Sequence, residues 1–319
     1  MTKATAPGKI ILLGEHAVVY GQPALAIPVM QVGVTVQIDL EESIPGETIT
    51  DWKDLVNVSA PDISRSGLLS KYSPDKDPIA LVIENVMAVV GVRNPPKCHV
   101  KIDSTIPVAS GLGSGAAVSV ALARAMSSTL GQELSDDIIL QIAYEAEKLH
   151  HGTPSGIDNT VITYENPVYY VKDQPIITFE VKEPFTVIIA DTGIRVSTAE
   201  SVGDVRKLWQ RDSAKYELIF SQIGEIVKQA KQAIQDGEIE LLGQLMNQNH
   251  ALLKELTVSS TKLDQLCEAA LFSGAYGAKL SGGGRGGSVI ALVSANKASR
   301  VEQTLIMSGA INTFVTRVE

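Results

Sequence analysis

Residues 106–126 read IPVASGLGSGAAVSVALARAM, and what this stretch does decides the fold. Gly111, Gly113 and Gly115 alternate with Leu112 and Ser114, and a run of small residues follows from Ala116 to Met126. Glycine has no Cβ, so such a loop lets backbone approach a ligand closely. The start of a helix presents unpaired N–H groups and the positive end of the peptide dipoles. Together they make a seat for a phosphate-sized anion. A tight turn entering a buried, alanine-rich helix is the other reading, and the stretch alone does not separate the two.

The surrounding chain has 319 residues, 45% of them hydrophobic and 20% charged, which is ample for a large core and favours two domains. A net charge of −9 argues against a nucleic-acid surface, so an anionic substrate needs a local basic pocket in an acidic protein. The two cysteines, Cys98 and Cys267, stand far apart without a CxxC pair, which excludes a disulfide scaffold or a structural zinc site. The opening MTKATAPGKIILLGEH has its apolar run broken by charge, unlike a signal peptide, and no stretch reaches the length of a membrane span. A cytoplasmic protein with no membrane partner is expected.

Lys9–Leu13 reads as a short buried strand after a Pro7-Gly8 turn, and Ala24–Ile27 and Val32–Leu40 as two further strands. Residues 41–78, rich in Pro, Ser, Asp and Gly, read as an irregular excursion with a short strand at Leu55–Val58. Pro78 and Gly91 bracket a helix, and Cys98–Asp103 is a strand that delivers the chain to Pro107 and the glycine loop. The loop helix runs to about Gly131, and Ser135 caps a second helix reaching about Leu149. The turn pairs Thr153-Pro154 and Ser155-Gly156 place Asp158 on a constrained loop or a new helix start, where a carboxylate is a cap or a catalytic group.

Beyond a composition shift near residue 176, strands are expected at 176–179 and 185–190, with helices over 197–207, 212–236, 239–256, 261–273 and 298–307 and a closing strand over 311–318. Gly282–Gly287 has five glycines in six positions and leads into the buried strand Val289–Val293. A flexible linker seldom joins a helix to a core strand, so this backbone is expected to pack against another loop or a ligand.

PGKIILLGEHAVVYG (7–21), PVASGLGSGAAVSVALA (107–123) and GAKLSGGGRGGSVIAL (277–292) resemble, in order, the three signatures of the GHMP small-molecule kinases, and HGTPSGIDN (151–159) is a fourth match. The first and fourth motifs, with ADTG (190–193) and STAESV (197–202), are most similar to the mevalonate kinase branch. The resemblance implies a two-domain α/β fold over residues 1–175 and 176–319. Its N-terminal half would be like the second domain of ribosomal protein S5, its C-terminal half ferredoxin-like, with ATP in the cleft.

The ATP phosphates would lie on Pro107, Ser110, Gly111, Leu112, Gly113, Ser114, Gly115 and Ala116. Asp158 matches the catalytic aspartate, taking or orienting the proton of the acceptor hydroxyl, and Lys9 the lysine beside it. Glu147, with Ser114, matches the Mg2+ ligands. Glu15, His16, Thr198 and Gly283 match acceptor-side positions, His16 offering a donor to the carboxylate or hydroxyls of mevalonate. The resemblance admits a homodimer.

The sequence departs from the family in three places. Gly115 stands where the loop has a second serine, a metal ligand in mevalonate kinases, so the metal must lean on Ser114, water or Glu147. Gly283 replaces an alanine, and Arg285 replaces a glycine; Arg285 is expected to face solvent rather than a phosphate. Other readings are a kinase for phosphomevalonate or a sugar, a decarboxylase on the same fold, and a non-catalytic metabolite-binding regulator. Retention of Lys9, Glu147 and Asp158 speaks against the last.

Overall fold

The computed structural model describes residues 1–41, 51–107, 111–151, 154–175 and 177–319, without the side chains of residues 150 and 151. The chain packs into two compact units: the described residues within 1–8, 32–108 and 113–165, and those within 9–31, 109–112 and 166–319.

In the first unit, strands β1 (Thr2–Leu13) and β2 (Ala24–Leu40) contribute their outer parts, joined by β3 (Val56–Ala60), β4 (Arg65–Leu68) and β5 (Cys98–Ser104). The order is β4-β3-β5-β2, with β3 parallel to β5 and Val34–Leu40 of β2 antiparallel to it. Burial alternates along these strands: Val34, Val36, Ile38, Val58, Val100 and Ile102 are buried, so one face is covered and the other wet.

Four helices complete the unit: α1 (Pro78–Val90), α2 (Ser114–Thr129), α3 (Asp136–His151) and α4 (Ile157–Tyr164). Helix α1 has the expected signals at both ends: Asp77 accepts from Ala80 N at 2.7 Å, Pro78 follows, and Gly91 closes it in a left-handed turn. Arg124 of α2 fixes α4, donating to Glu165 and to the Thr163 carbonyl, each at 2.6 Å.

Three expectations change here. The strand at Lys9 begins at Thr2 and runs through Pro7-Gly8 without turning, because among the described strands β1 pairs with β2 alone and an edge strand tolerates a missing N–H. Ala24–Leu40 is one strand, not two, since its ends pair with different neighbours. The 41–78 excursion contains β3, β4 and 3-10 turns, its residues 42–50 lying outside those described.

The second unit adds β6 (Val168–Tyr170) and β7 (Ile177–Thr178), with β6 pairing to Ala24–Ala26 of β2. Then come β8 (Phe185–Asp191), α5 (Thr198–Arg211), α6 (Ser213–Asp236), α7 (Ile239–Glu255), α8 (Thr261–Ser273), β9 (Gly277–Ser281), β10 (Ser288–Val293), α9 (Ala298–Met307) and β11 (Asn312–Val318). The antiparallel sheet has order β11-β8-β10-β9. Strand–helices–strand–strand–helix–strand in that order is the ferredoxin-like arrangement. Every residue of β10 and β9 is buried, so the opening of the third glycine motif is a core strand rather than loop.

Candidate active site

The helix α2 starts from the glycine loop with nothing in its way. Gly113 is its N-cap, with φ 75°, and no side chain caps the helix or puts an acid in its first turn. Gly111 and Gly115 are exposed, Gly113 and Ser114 half-buried, and a Cβ on Gly111 or Gly115 would meet nothing within 4 Å. An uncapped helix start with no atom of the described residues crowding Gly111 or Gly115 has the geometry that an anion seat requires. Leu112 is buried, and its carbonyl accepts from Lys9 N at 3.0 Å, so the loop is hydrogen-bonded to β1 at the predicted catalytic lysine. Pro107 and Ala116 flank this loop, half-buried and buried; Ser110 lies outside the described residues.

Asp158 is the second residue of α4, half-buried, on a turn entered through Gly156 at φ 83°. Thr160 Oγ1 donates back to Gly156 O at 2.8 Å, which tightens this turn. Lys9, in β1, is buried. Glu147 lies near the end of α3, half-buried, and α3 packs against α2, which begins at Ser114. No cluster of three or more His, Cys, Asp or Glu able to hold a metal exists among the described residues. One carboxylate and one hydroxyl suit Mg2+, which keeps waters and phosphate oxygens in its shell, and suit a thiolate- or imidazole-seeking metal poorly.

The residues expected on the acceptor side meet in the second unit. His16 sits at φ 63°, heading a 3-10 turn (Ala17–Tyr20), and the Tyr20 ring stacks on Phe220 of α6 at 4.0 Å and tilts against Trp209 of α5 at 5.6 Å. This pins the GEHAVVYG turn. His16 Nε2 donates to Gly283 O at 3.1 Å. Burial pushes the imidazole down to about 4, Arg285 and Lys279 add to this, and the Gly283 bond opposes it, so the ring is neutral at pH 7. With Nε2–H committed, Nδ1 is an acceptor, and it is buried with no partner among the described residues. The expected donor role of His16 is therefore reversed: a neutral ring in this tautomer accepts.

Glu15 is buried against Lys279 of β9, which is itself wholly buried, and the two form an ion pair through Glu15 Oε1. Burial presses the Lys279 ammonium down and the carboxylate pulls it back up. Glu15 Oε2 has no partner among the described residues. Two adjacent residues thus present two orphaned, buried acceptors, a costly arrangement unless a ligand supplies hydroxyl hydrogens.

Gly283 organises the neighbourhood. Its carbonyl holds His16, and a Cβ on it would fall 3.0 Å from Thr198 Oγ1, so α5 begins directly against it. Arg285 is half-buried rather than free in solvent: it donates to Asp204 Oδ2 of α5 at 2.7 Å. Hydrogen bonds from Arg285 and Lys207 hold the Asp204 carboxyl at about 2. The ADTG turn is locked by Asp191, which accepts from Gly193 N at 2.9 Å and from both terminal nitrogens of Arg195 at 2.7 Å. Lys279 and Arg195 were missed in the sequence. A lysine within the apolar strand GAKLS was the available signal, since a core lysine requires a buried counter-charge.

The GHMP kinases N terminal domain matches residues 79–166, and the GHMP kinases C terminal domain matches residues 230–306. A mevalonate kinase of Pyrococcus furiosus is 35% identical over 96% of this chain and 93% of its own. That of Thermococcus onnurineus is 37% identical over 96% and 93%. The crystal structure of L. major mevalonate kinase in complex with R-mevalonate superposes with TM-score 0.82 at 28% identity, covering 100% of this chain and 96% of that one. The chain belongs to the mevalonate kinase family of the GHMP kinases.

Proposed function

We infer that the chain uses ATP to phosphorylate the 5-hydroxyl of (R)-mevalonate, giving 5-phosphomevalonate and ADP, in cytoplasmic isoprenoid synthesis. The observation that carries the acceptor assignment is the pair of orphaned buried acceptors, Glu15 Oε2 and His16 Nδ1. They suit an alcohol-bearing substrate and repel a carboxylate, so they receive the hydroxyls of mevalonate, and its carboxylate lies elsewhere.

The backbone N–H groups at the start of α2, over Gly111–Ala116, hold the ATP phosphates. Asp158 accepts the proton of the acceptor hydroxyl as that oxygen bonds to the γ-phosphorus and the bond to the ADP oxygen breaks. Lys9 offsets negative charge on the transferred group. Ser114 and Glu147 would hold Mg2+, with Gly115 contributing no side-chain oxygen. Held there, the ion would supply charge neutralisation for phosphoryl transfer. Thr198 and Gly283 shape the acceptor side. In this scheme the two domains are residues 1–175 and 176–319.

The test is ADP release across mevalonate, phosphomevalonate, galactose and homoserine. Turnover with mevalonate is expected; turnover with another alcohol and not with mevalonate overturns the assignment.

A further inference from the structure

Lys279 has no task in the chemistry above, yet it is among the largest fully buried side chains. Its ammonium donates to Glu15 Oε1 and to its neighbour's carbonyl, Leu280 O, at 2.6 Å. The two partners of the ion pair are 264 residues apart in the chain. The strand bearing Lys279 is pinned on both sides. Ser281 Oγ donates to Ile11 O at 2.7 Å, and Leu280 N donates to His250 Nδ1 at 3.3 Å. His250 Nε2 in turn donates to Asp264 at 3.1 Å, which Lys254 and Ser259 also hold, at 2.9 and 2.6 Å. A buried carboxylate with two equivalent oxygens has no intrinsic reason to offer one of them to a ligand. Here Oε1 is taken and Oε2 is left without a partner among the described residues.

We propose that Lys279 is a positioning residue for the acceptor alcohol: by holding Glu15 Oε1 it keeps the carboxylate turned so that Oε2 meets an acceptor hydroxyl. This rests on the reading of Glu15 as an acceptor-side residue. Lys279 touches no substrate itself. Its loss therefore acts on acceptor binding through Glu15 and leaves ATP binding alone.

The experiment is a double-mutant cycle with Lys279→Met, Glu15→Gln and both together, reading KM for the acceptor and for ATP. Each single variant raises the acceptor KM about tenfold or more and keeps the ATP KM within about twofold. The double variant is no worse than Glu15→Gln alone. A second readout needs no substrate. A buried carboxylate without its cation is tolerated only when protonated, so the melting-temperature deficit of Lys279→Met shrinks from pH 8 to pH 5, and the double variant shows no such dependence. An acceptor KM of Lys279→Met within about twofold of wild type, or losses that multiply in the double variant, overturns the proposal. Should Lys279→Met not fold, the double variant decides: an acceptor KM equal to that of Glu15→Gln supports it, and one about tenfold higher overturns it. If wild type phosphorylates another alcohol instead of mevalonate, the acceptor reading fails, and the same cycle on that alcohol tests Lys279 separately.

Discussion

Two glycine-rich stretches of this chain look alike in sequence and do opposite things. Around Gly111–Gly115 the missing side chains leave empty space, for a Cβ on Gly111 or Gly115 would meet nothing within 4 Å. Around Gly283–Gly286 the same absence is filled by the protein itself. A Cβ on Gly284 would lie 2.1 Å from Val258 O, and one on Gly286 would lie 2.5 Å from Ile194 O. The first stretch has the uncrowded backbone that a bound anion would need. The second lets three segments close on one another, so that His16, Thr198 and Glu15 are held at one place. Glycine content alone signals close approach of backbone to something; only the packing says whether that something is a ligand or another loop.

The difference breaks first at Gly284. Its φ of 77° is hard for other residues and its Cβ site is occupied, so Gly284→Ala costs about 3 kcal/mol of stability in a thermal or denaturant melt. A near-neutral Gly284→Ala would mean that the second cluster is open as well.

A comparable effect comes from acid. His16 is held at about 4 in the folded chain against 6.5 unfolded. Above pH 6.5 both states are neutral there and nothing changes. Below it the unfolded state takes up the proton first, so stability falls as pH drops from 6.5 towards 4, by up to about 3 kcal/mol from this residue. His250, also pushed down chiefly by burial, acts in the same direction. Melts between pH 7 and pH 4.5 check this: the loss is shallower in His16→Asn, and an equal slope in both proteins contradicts it.

The open loop gives a smaller effect of opposite sign. Gly115→Ser places a side chain in empty space within the first turn of α2, and stability rises by up to about 0.5 kcal/mol. The added hydroxyl also lowers the Mg2+ concentration needed for half-maximal rate, and an unchanged or raised requirement means that this position does not face the metal. Smallest is Arg285→Ala. Because Asp204 and not a phosphate holds this guanidinium, the KM for ATP moves by less than about twofold. A tenfold rise would make Arg285 a phosphate contact.

Local signals were legible in the sequence. Pro78 and Gly91 bound α1 within a residue, and α8 spans Thr261–Ser273 as its pattern indicates. These ends are set by neighbours within one turn. Long-range pairing was not legible. The Lys279–Glu15 pair, the Arg285–Asp204 pair and the His16 tautomer each join residues 81 or more positions apart. Pro7-Gly8 misled for a related reason: a turn signal yields when the strand lies at an edge and its partner holds it straight. The motifs named the candidate site residues, while the direction of the His16 hydrogen bond had to come from Gly283.

The most direct test of alcohol phosphorylation through Asp158 is the rate of ADP formation by Asp158→Asn with saturating ATP, Mg2+ and mevalonate, beside its melting temperature. A fall of about a thousandfold or more at an unchanged melting temperature is predicted. Full activity in that variant would contradict the assignment.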